Sequence, residues 1–484
     1  MLGEKPKKAY EELEAENTAL KAEVSELRSI IDELRMEIQR LQAIINKSSS
    51  NSSKPPSSNG LKPIPNSRER SGRSVGGQKG HAGHKLSIPE NLEELVGLGL
   101  AEKEVIDYSN GDNNYVSRWE IDLSIKTIYR EYRYCPDDPR IAEHPVNVTY
   151  GKDLKTTSVL LSSEGIVSLN RMSDFFDGIT DGLLRPSEAT LQSFNHEIAG
   201  KLEESGELKQ IRENLLEGDV LHVDETTKST TERLTYPKDG EAVLEIAKNK
   251  SFNVYVRNYS NESNTLYTVN AQKNDAGVVR DGILTHFNGI LSHDHDKKYY
   301  KYSNKHATCG THLLRDLKGL CELYKCPWAN DMRGFIALLN EQKKEYIESN
   351  TIPDEQWLDE VSQKYNDIIA DGKTQLENMN DNDFSYEQFN AMLKRLTNYK
   401  DAYLLFIRDM IAPFTNNLSE RDLRPIKTKQ KVSGAFRSWQ GILDFTKVKS
   451  FISTKKKQSA NLFNSIRNLF NDASDFTSSM INKV

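Results

Sequence analysis

The chain has 484 residues, of which 36% are hydrophobic and 28% are charged. At roughly 100–200 residues per domain, this length predicts several structural units. The low hydrophobic fraction indicates that part of the chain is extended or solvated. Four cysteines are too few for a disulfide scaffold, and no run approaches the ~18–20 apolar residues of a membrane helix. The composition therefore argues against a secreted cystine-rich protein, a membrane protein and a collagen-like fibre.

The formal net charge of −6 hides an uneven distribution. Residues 47–86 contain eight basic residues and one acidic residue, a net charge of +7, and residues 421–457 contain eleven basic and two acidic residues, a net charge of +9. The rest of the chain then carries −22. Because local charge sets the field that a polyanion meets, both segments are candidate nucleic-acid contacts. Solvated segments that happen to be basic are the alternative.

The first 46 residues have the pattern of a coiled coil. Leucines recur every seven residues, and mostly β-branched residues lie three positions before them: Leu13, Leu20, Leu27, Leu34 and Leu41 follow Tyr10, Asn17, Val24, Ile31 and Ile38. This pattern favours a parallel two-stranded coil, and a lone Asn in the series specifies register and dimeric state. A single helix packed on its own domain usually has a wider apolar stripe. We therefore expect a homodimer or higher oligomer formed through residues 1–46.

Residues 47–86 cannot build a hydrophobic core. They include ten serines, six glycines and four prolines, a composition typical of a flexible linker. Basic flexible arms commonly hold phosphates without reading sequence, and the candidate DNA contacts here are Arg68, Arg70 and Arg73. His81 and His84 have no cysteine nearby, so a glycine-rich turn is favoured over a metal site.

Residues 87–150 predict a small β module, because residues 118–125 and 127–132 alternate between apolar and polar side chains. Residues 151–215 return to helical spacing. Within them, residues 171–194 fit a helix-turn-helix around Gly178 and Gly182, although two ordinary core helices explain the spacing equally well. The region is a possible DNA-binding region.

Strand-like segments after Gly218 end in acidic residues. Residues 219–225 end in Asp224 and Glu225, and residues 289–294 end in Asp294. Between them, residues 252–259 and 265–269 predict strands and residues 275–287 predict a helix. Acids at the carboxyl ends of neighbouring strands suit a ligand site in a mixed α/β sheet.

Glu420 lies beside the second basic segment and could join these acids. Three clustered carboxylates raise one another's pKa unless cations neutralise them. Mg²⁺ binds one or two carboxylates together with phosphate oxygens, and two such ions about 3.5–4 Å apart promote in-line phosphoryl displacement. The pattern favours a nuclease or a strand transferase.

Several longer motifs, in this order, resemble those of the transposases of the insertion sequence 66 family. They are SSKPPSS at 52–58, GGQKGHAGH at 76–84, HVDET at 222–226, HDHDKKYYKY at 293–302, CGTHLLRDL at 309–317 and TNNLSERDLRPIKTKQKVSGAFRS at 415–438. The resemblance implies an RNase H-like core with a helical insertion. It also implies that Asp224, Asp294 and Glu420 are the catalytic, metal-binding triad.

Other residues have expected roles around this triad. His312 and Arg315, on one helix face, and Asn417 are expected to orient the carboxylates or touch phosphate. Glu225 should face away from Asp224 along its strand. The expected phosphate contacts near Glu420 are Arg421, Arg424, Lys427, Lys429, Lys431 and Arg437. For Phe436 and Trp439, core packing is favoured over base stacking, and for His293 and His295 a structural role is favoured over proton transfer.

The chain departs from many of its relatives in its cysteines. Those relatives carry paired Cys-x-x-Cys motifs after the GGQ tract, whereas only Cys135 is present here, and Cys321 and Cys326 have no second pair. We therefore expect no structural zinc in a degenerate zinc-finger-like module. The expected cofactor is Mg²⁺, with Mn²⁺ as a substitute.

Together these interpretations predict a multidomain α/β protein. Its segments are a coiled coil (1–46), a basic linker (47–86), a small β module (87–150), a helical region (151–215), a catalytic core in two parts (216–300 and 406–460), a helical insertion (301–405) and a tail (461–484). The expected function is a bacterial, nucleoid-associated, cytoplasmic DNA transposase that cleaves terminal inverted repeats and joins them to target DNA. A zipper-dimerised DNA-binding regulator and a metal-dependent nuclease without strand transfer stay open as alternatives.

Overall fold

The computed structural model describes residues 4–52, 87–107, 116–123, 125–139, 141, 146–236, 243–246, 251–379 and 383–471. As far as it is described, the protein is helix-rich, with a mixed five-stranded sheet and a separate two-stranded sheet. The chain divides into a larger compact unit (residues 1–64, 134–175 and 185–484) and a smaller one (residues 65–133 and 176–184). Within the described ranges, no helix has both the length and the apolar character needed to cross a bilayer.

The predicted amino-terminal helix is present as α1, Glu4–Asn46. At ~1.5 Å per residue it is about 65 Å long. The heptad leucines are largely exposed, with fractional exposures of 64%, 54%, 51%, 58% and 45% for Leu13, Leu20, Leu27, Leu34 and Leu41. The apolar stripe of α1 is therefore left open to solvent in the single chain.

The smaller unit contains α2, Leu92–Gly97, and the residues 118–125 and 127–132, in which we predicted strands and of which all but residue 124 are described. No strand occurs at these described residues, so that prediction is wrong for them. Alternating apolar and polar residues give an extended segment one apolar face, but a β-strand also needs a neighbouring strand to which it can form hydrogen bonds. Trp119, Ile121 and Leu123 are all more than half exposed, which agrees with the lack of a covering layer.

Four helices precede the main sheet: α3 (Lys152–Ser163), α4 (Leu169–Ile179), α5 (Glu188–Glu204) and α6 (Glu207–Leu216). Ser187 begins α5, because its Oγ accepts a hydrogen bond from Thr190 N at 3.1 Å. The two predicted helices therefore exist as α4 and α5, although α4 continues through Gly178 and only Gly182 lies between them. Their role in DNA binding stays a prediction.

Five strands form the main sheet: β1 (Val220–Thr230), β4 (Phe252–Ser260), β5 (Thr265–Asn270), β6 (Ile290–His293) and β7 (Lys305–Thr308). Their order is β5-β4-β1-β6-β7. The central strand β1 is antiparallel to β4 and parallel to β6, β4 is antiparallel to β5, and β6 is parallel to β7. Between β1 and β4, the strands β2 (Glu232–Thr235) and β3 (Val243–Ile246) form the two-stranded sheet.

Helices cover both faces of the main sheet. On one face, Leu221 and Val223 pack with residues of α6 and of α7 (Asp275–Asp281). On the other face, Val254 and Val256 pack with residues of α13 (Asn417–Ser433) and α14 (Trp439–Lys457), including the buried Trp439, with Phe436 packed against this cluster. The helix predicted over residues 275–287 ends early because Gly282 adopts a left-handed backbone, with φ +67°.

A separate helical core lies between β7 and α13 in the chain. It consists of α8 (Gly310–Tyr324), α9 (Pro327–Glu348), α10 (Glu355–Glu377), α11 (Tyr386–Asn398) and α12 (Lys400–Arg408). The predicted segment 301–405 also contains β7, which belongs to the main sheet. The helical part therefore begins after Thr308. A last helix, α15 (Leu462–Leu469), follows α14.

Candidate active site

The three acids of the expected triad come from three different elements. Asp224 lies in the middle of β1, Asp294 directly follows β6, and Glu420 lies in the first turn of α13. We expected Asp224 at a strand end, but β1 continues to Thr230. Val223 pairs with His293 across the parallel β1–β6 ladder. The next residues on these strands, Asp224 and Asp294, therefore lie level where the shorter strand ends.

His312 on α8 links two of these carboxylates. Its Nδ1 lies 3.0 Å from Oδ1 of Asp294, and its Nε2 lies 3.7 Å from Oε1 of Glu420. Asp294, Cys309, His312 and Glu420 offer ligand atoms that all lie within 4.8 Å of one another. Asp294 Oδ1 and His312 Nδ1 are buried, and neither has a hydrogen bond of good geometry within the described structure. These four side chains are therefore close enough together to hold a metal ion.

The electrostatics of the site favour a bound cation. Burial and the neighbouring carboxylate of Asp294 raise the pKa of Asp224 to about 7. Burial disfavours the imidazolium form of His312, but its pairing with Asp294 and Cys309 outweighs this and raises the pKa of His312 to about 11. In the absence of metal, a charged His312 therefore partly neutralises the acids.

Asn416 fixes the start of α13 against β1. This fully buried side chain donates from Nδ2 to Val223 O at 3.0 Å, and its Oδ1 accepts from Nδ1 of His222 at 3.0 Å. Its backbone N lies 3.3 Å from Sγ of Cys309. Sequence reasoning chose the neighbouring Asn417 instead, but that side chain is exposed. The two adjacent asparagines carry no local signal that distinguishes the buried one.

Two further contacts hold the same turn of α13. Ser419 Oγ donates to Asn258 Oδ1 at 2.7 Å, and Asn258 lies directly opposite Asp224 in the β1–β4 ladder. Gly310, at the start of α8, donates its N–H to Phe414 O at 2.8 Å. A Cβ at Gly310 would lie 2.2 Å from the Phe414 ring, so only glycine permits this approach. Glu420 is thereby tied to both β1 and α8.

Glu225 faces away from Asp224, as we expected. Its Oε2 accepts from Nε of the fully buried Arg257 at 3.1 Å, and its Oε1 lies 2.6 Å from Nζ of Lys298. Arg257 also pairs with Asp281 on α7. Glu225 therefore belongs to a buried ion-pair network behind the candidate site.

The histidines that flank Asp294 are buried among aromatic rings. Burial lowers the pKa of His293 to about 4 and that of His295 to about 4. His293 Nε2 lies 3.2 Å from His306 Nδ1, and His295 Nδ1 lies 3.0 Å from the Tyr300 hydroxyl. Both rings therefore have protein partners and are neutral at physiological pH, which favours a structural role.

The basic residues of α13 fall on different sides of the helix. From Glu420, steps of four, seven and eleven residues reach one helix face, and the exposed cations there are Arg424, Lys427 and Lys431, with Arg421 exposed beside them. Lys429 differs: it is 9% exposed and donates to Ser162 O at 3.2 Å. Its prediction as a phosphate contact is wrong because its ammonium is turned into the protein.

Of the remaining expected contacts, the two that the structure describes make no ion pair with the three acids. Arg437, between α13 and α14, is exposed and lies 3.6 Å from Glu188. Arg315 is half-buried on α8, and the described residues give it no ion pair. Arg68, Arg70 and Arg73 lie outside the described residues.

Comparison with known families agrees with this geometry. The model of the family described as "Transposase IS66 family" matches residues 148–443, more than half of the chain and all of the residues around the three acids. A second model, of a family of unknown function (DUF6444), matches residues 4–87. No curated protein matches the sequence. Because the match spans the sheet, the helical region and α13, the chain belongs to the IS66 family of transposases, whose function is DNA transposition.

Proposed function

We propose that this transposase cleaves and joins DNA by divalent-metal-dependent phosphoryl transfer, with Asp224, Asp294 and Glu420 as metal ligands. The observation that carries the proposal is the meeting of Asp294 and Glu420 around His312, beside the buried Asp224. Family membership supports DNA as the substrate. Clustered carboxylates are groups that can hold the metal ions of such phosphoryl transfer.

The strand order supports an RNase H-like core for this site. The first strand is central, its antiparallel neighbour comes next in the sheet, and two parallel strands follow on its other side. This order puts one acid on the central strand and another after the adjacent parallel strand. The third acid comes from α13, which covers the same face. The helices α8 to α12 fit the helical insertion between the second and third acids.

The residues fit a divalent metal ion. Mg²⁺ takes oxygen ligands, usually from one or two carboxylates with substrate phosphate oxygens. Carboxylate oxygens also suit Mn²⁺, whereas imidazole and thiolate suit softer metals. The pKa of Asp224, raised by burial and by the carboxylate of Asp294, indicates a need for positive charge beyond that which His312 supplies. We therefore assign the metal to the three carboxylates and a positioning role to His312.

Bound divalent ions would activate the attacking oxygen and stabilise the leaving oxygen of an in-line displacement. The protein's own residues position the reaction. His312 holds Asp294 and Glu420 at a fixed separation, and Asn416 holds the turn that carries Glu420 against β1. The exposed cations of α13 extend from Glu420 along one face and can bind the DNA backbone.

We also propose that α1 is the self-association element. Its heptad leucines are each about half exposed, and a partner helix would bury them. Leu27→Lys should therefore convert the oligomer to a monomer in light scattering. Ser25→Lys is the matched control, because residue 25 lies outside the heptad seam. Equal masses for both variants would contradict a coiled coil.

The experiment that tests the catalytic proposal uses a labelled duplex that contains the DNA flanking the gene. With Mg²⁺, Asp224→Asn should reduce cleavage about a thousandfold or more, because metal binding supplies several kcal/mol of transition-state stabilisation. Binding without metal should persist. Wild-type binding without metal-dependent cleavage would instead favour a regulator, and cleavage without joined strands would favour a nuclease.

A further inference from the structure

A buried lysine lies near the candidate active site without an anionic partner. Lys228 is four residues after Asp224 on β1, and the two side chains share a face of the strand because side chains alternate. Lys228 is only 5% exposed. Its partner across the β1–β4 ladder is Val254, which carries no charge.

The other buried lysines that the structure describes all have oxygen partners. Lys343 donates to Phe406 O at 2.7 Å, Lys429 donates to Ser162 O at 3.2 Å, and Lys449 pairs with Glu164 at 2.6 Å. For Lys228, the described residues provide neither a hydrogen bond nor an ion pair. Lys228 as a whole is buried, but its Nζ is not one of the fully enclosed, unpartnered polar atoms of the described residues, so the ammonium keeps some contact with solvent and can meet a ligand.

The nearest charges make the environment of Lys228 more positive still. Burial and the ammonium groups of Lys427 and Lys431 lower the pKa of Lys228 to about 8. Lys427 and Lys431 come from the α13 face that also carries Glu420. Gln430 Nε2 lies 3.4 Å from Ser229 Oγ, which places this part of α13 directly beside the Lys228 segment of β1.

β1 and α13 therefore lie side by side, with negative side chains at one end of the pair and positive side chains towards the other. Asn416 lies at His222 and Gln430 lies at Ser229, so α13 and β1 run in the same direction. The three acids lie at the beginning of this pair, and the three lysines lie further along it, although the charge of Lys427 also acts on Asp224 and lowers its pKa. A bound anion would offset the mutual repulsion of the clustered lysines, as bound cations would offset that of the clustered carboxylates.

We propose that Lys228, Lys427 and Lys431 form a binding subsite for a backbone phosphate of the DNA strand in the active site. The inference rests on the proposed function and deepens it. Four residues of strand span about 13 Å, which is the rise of about four nucleotides along one DNA strand. The subsite thus contacts the strand within about four nucleotides of the cleaved bond.

The test measures affinity for a labelled duplex of unrelated sequence, without divalent metal, over a range of salt concentrations. Lys228→Met should weaken binding about three- to tenfold and lower the slope of log K against log salt by about 0.9, since one phosphate contact is lost. Lys228→Arg keeps the charge and should retain both affinity and slope. Lys429→Met is the matched control, a similarly buried lysine that should leave the slope unchanged.

Stability measurements separate binding from structure. Removal of an unpaired buried charge should leave the Tm of Lys228→Met equal to or above that of the wild type, whereas a structural lysine would give a lower Tm. The double variant Lys427→Met/Lys431→Met changes only exposed side chains and should also lower the slope of log K against log salt. Wild-type slopes in both variants would overturn the subsite, and if the wild type still binds and cleaves DNA the proposed function would stand.

Discussion

The two faces of β1 differ in whether their charged side chains form ion pairs within the described protein. On the face towards α7, Glu225 is bonded to Arg257 and Lys298, and Arg257 is bonded in turn to Asp281. On the face towards α13, Asp224 and Lys228 make no ion pair with any described residue. Neighbouring positions on one strand therefore differ completely in how their charges are balanced.

This difference separates structural charges from functional ones. A buried ion pair is compensated inside the protein, and breaking it leaves an uncompensated charge. Charges left without protein partners are costly in the free protein and are compensated when a ligand of opposite charge binds. Under the proposed function, the face towards α13 would bind metal ions and phosphate, whereas the ion pairs on the face towards α7 would contribute to stability.

The largest expected contrast is between Asp224→Asn and Glu225→Gln in DNA cleavage. Asp224→Asn should lower the rate of cleavage about a thousandfold or more. Glu225→Gln should keep a cleavage rate within about tenfold of the wild type, because Glu225 lies on the opposite face of β1. Single-turnover cleavage with Mg²⁺ at a temperature where both variants are folded measures the difference. Equal losses would break the distinction between the two faces.

Arg257→Met should have the largest effect on stability. It leaves Glu225 and Asp281 without their shared cation, which typically costs about 3–5 kcal/mol of the free energy of unfolding. Arg408→Met is the control, since its pair with Asp401 at 3.0 Å is largely exposed and is worth about 0–1 kcal/mol. Urea unfolding compares them, and similar midpoints would contradict a stabilising role for the network.

Asn416→Ala should separate catalysis from DNA binding. Without its hydrogen bonds to Val223 and His222, Glu420 is held less accurately, and a misplacement of about 1 Å costs on the order of a hundredfold in rate. DNA affinity should not change. The exposed neighbour provides the control, Asn417→Ala, which should cleave at the wild-type rate. A loss of affinity in Asn416→Ala would argue against a positioning role.

The smallest expected effect is a pH-dependent Tm difference between the wild type and Asp224→Asn. The native pKa of Asp224, about 7, lies above its ordinary value of 3.8. Ionisation therefore destabilises the native state increasingly as pH rises between these values and fully above pH 7. With a chelator present to remove divalent metal, the Tm of Asp224→Asn should exceed that of the wild type by several degrees at pH 8. Near pH 4 the difference in Tm should be much smaller. A constant difference would show that Asp224 is not buried beside other acids.

Much of the core could be predicted from local pattern. Alternation located β1, β4, β5 and β6, and heptad spacing located α1. The strand β7 was missed because its four residues, Lys305–Thr308, have little pattern of their own and become a strand by parallel pairing with β6. Residues 118–132 give the reverse case, in which alternation occurs among described residues that have no strand partner.

By itself, the sequence determined the family, the order of the acidic motifs and the separation of an acidic body from two basic segments. These depend on residue identity and spacing, which folding does not change. Only the tertiary structure decided that Asn416 rather than Asn417 is buried against β1, that Lys429 is turned inward, and that Lys228 is buried on the face of β1 beside α13. Those outcomes depend on which helix covers which face of β1, and such long-range packing leaves no local mark in the chain.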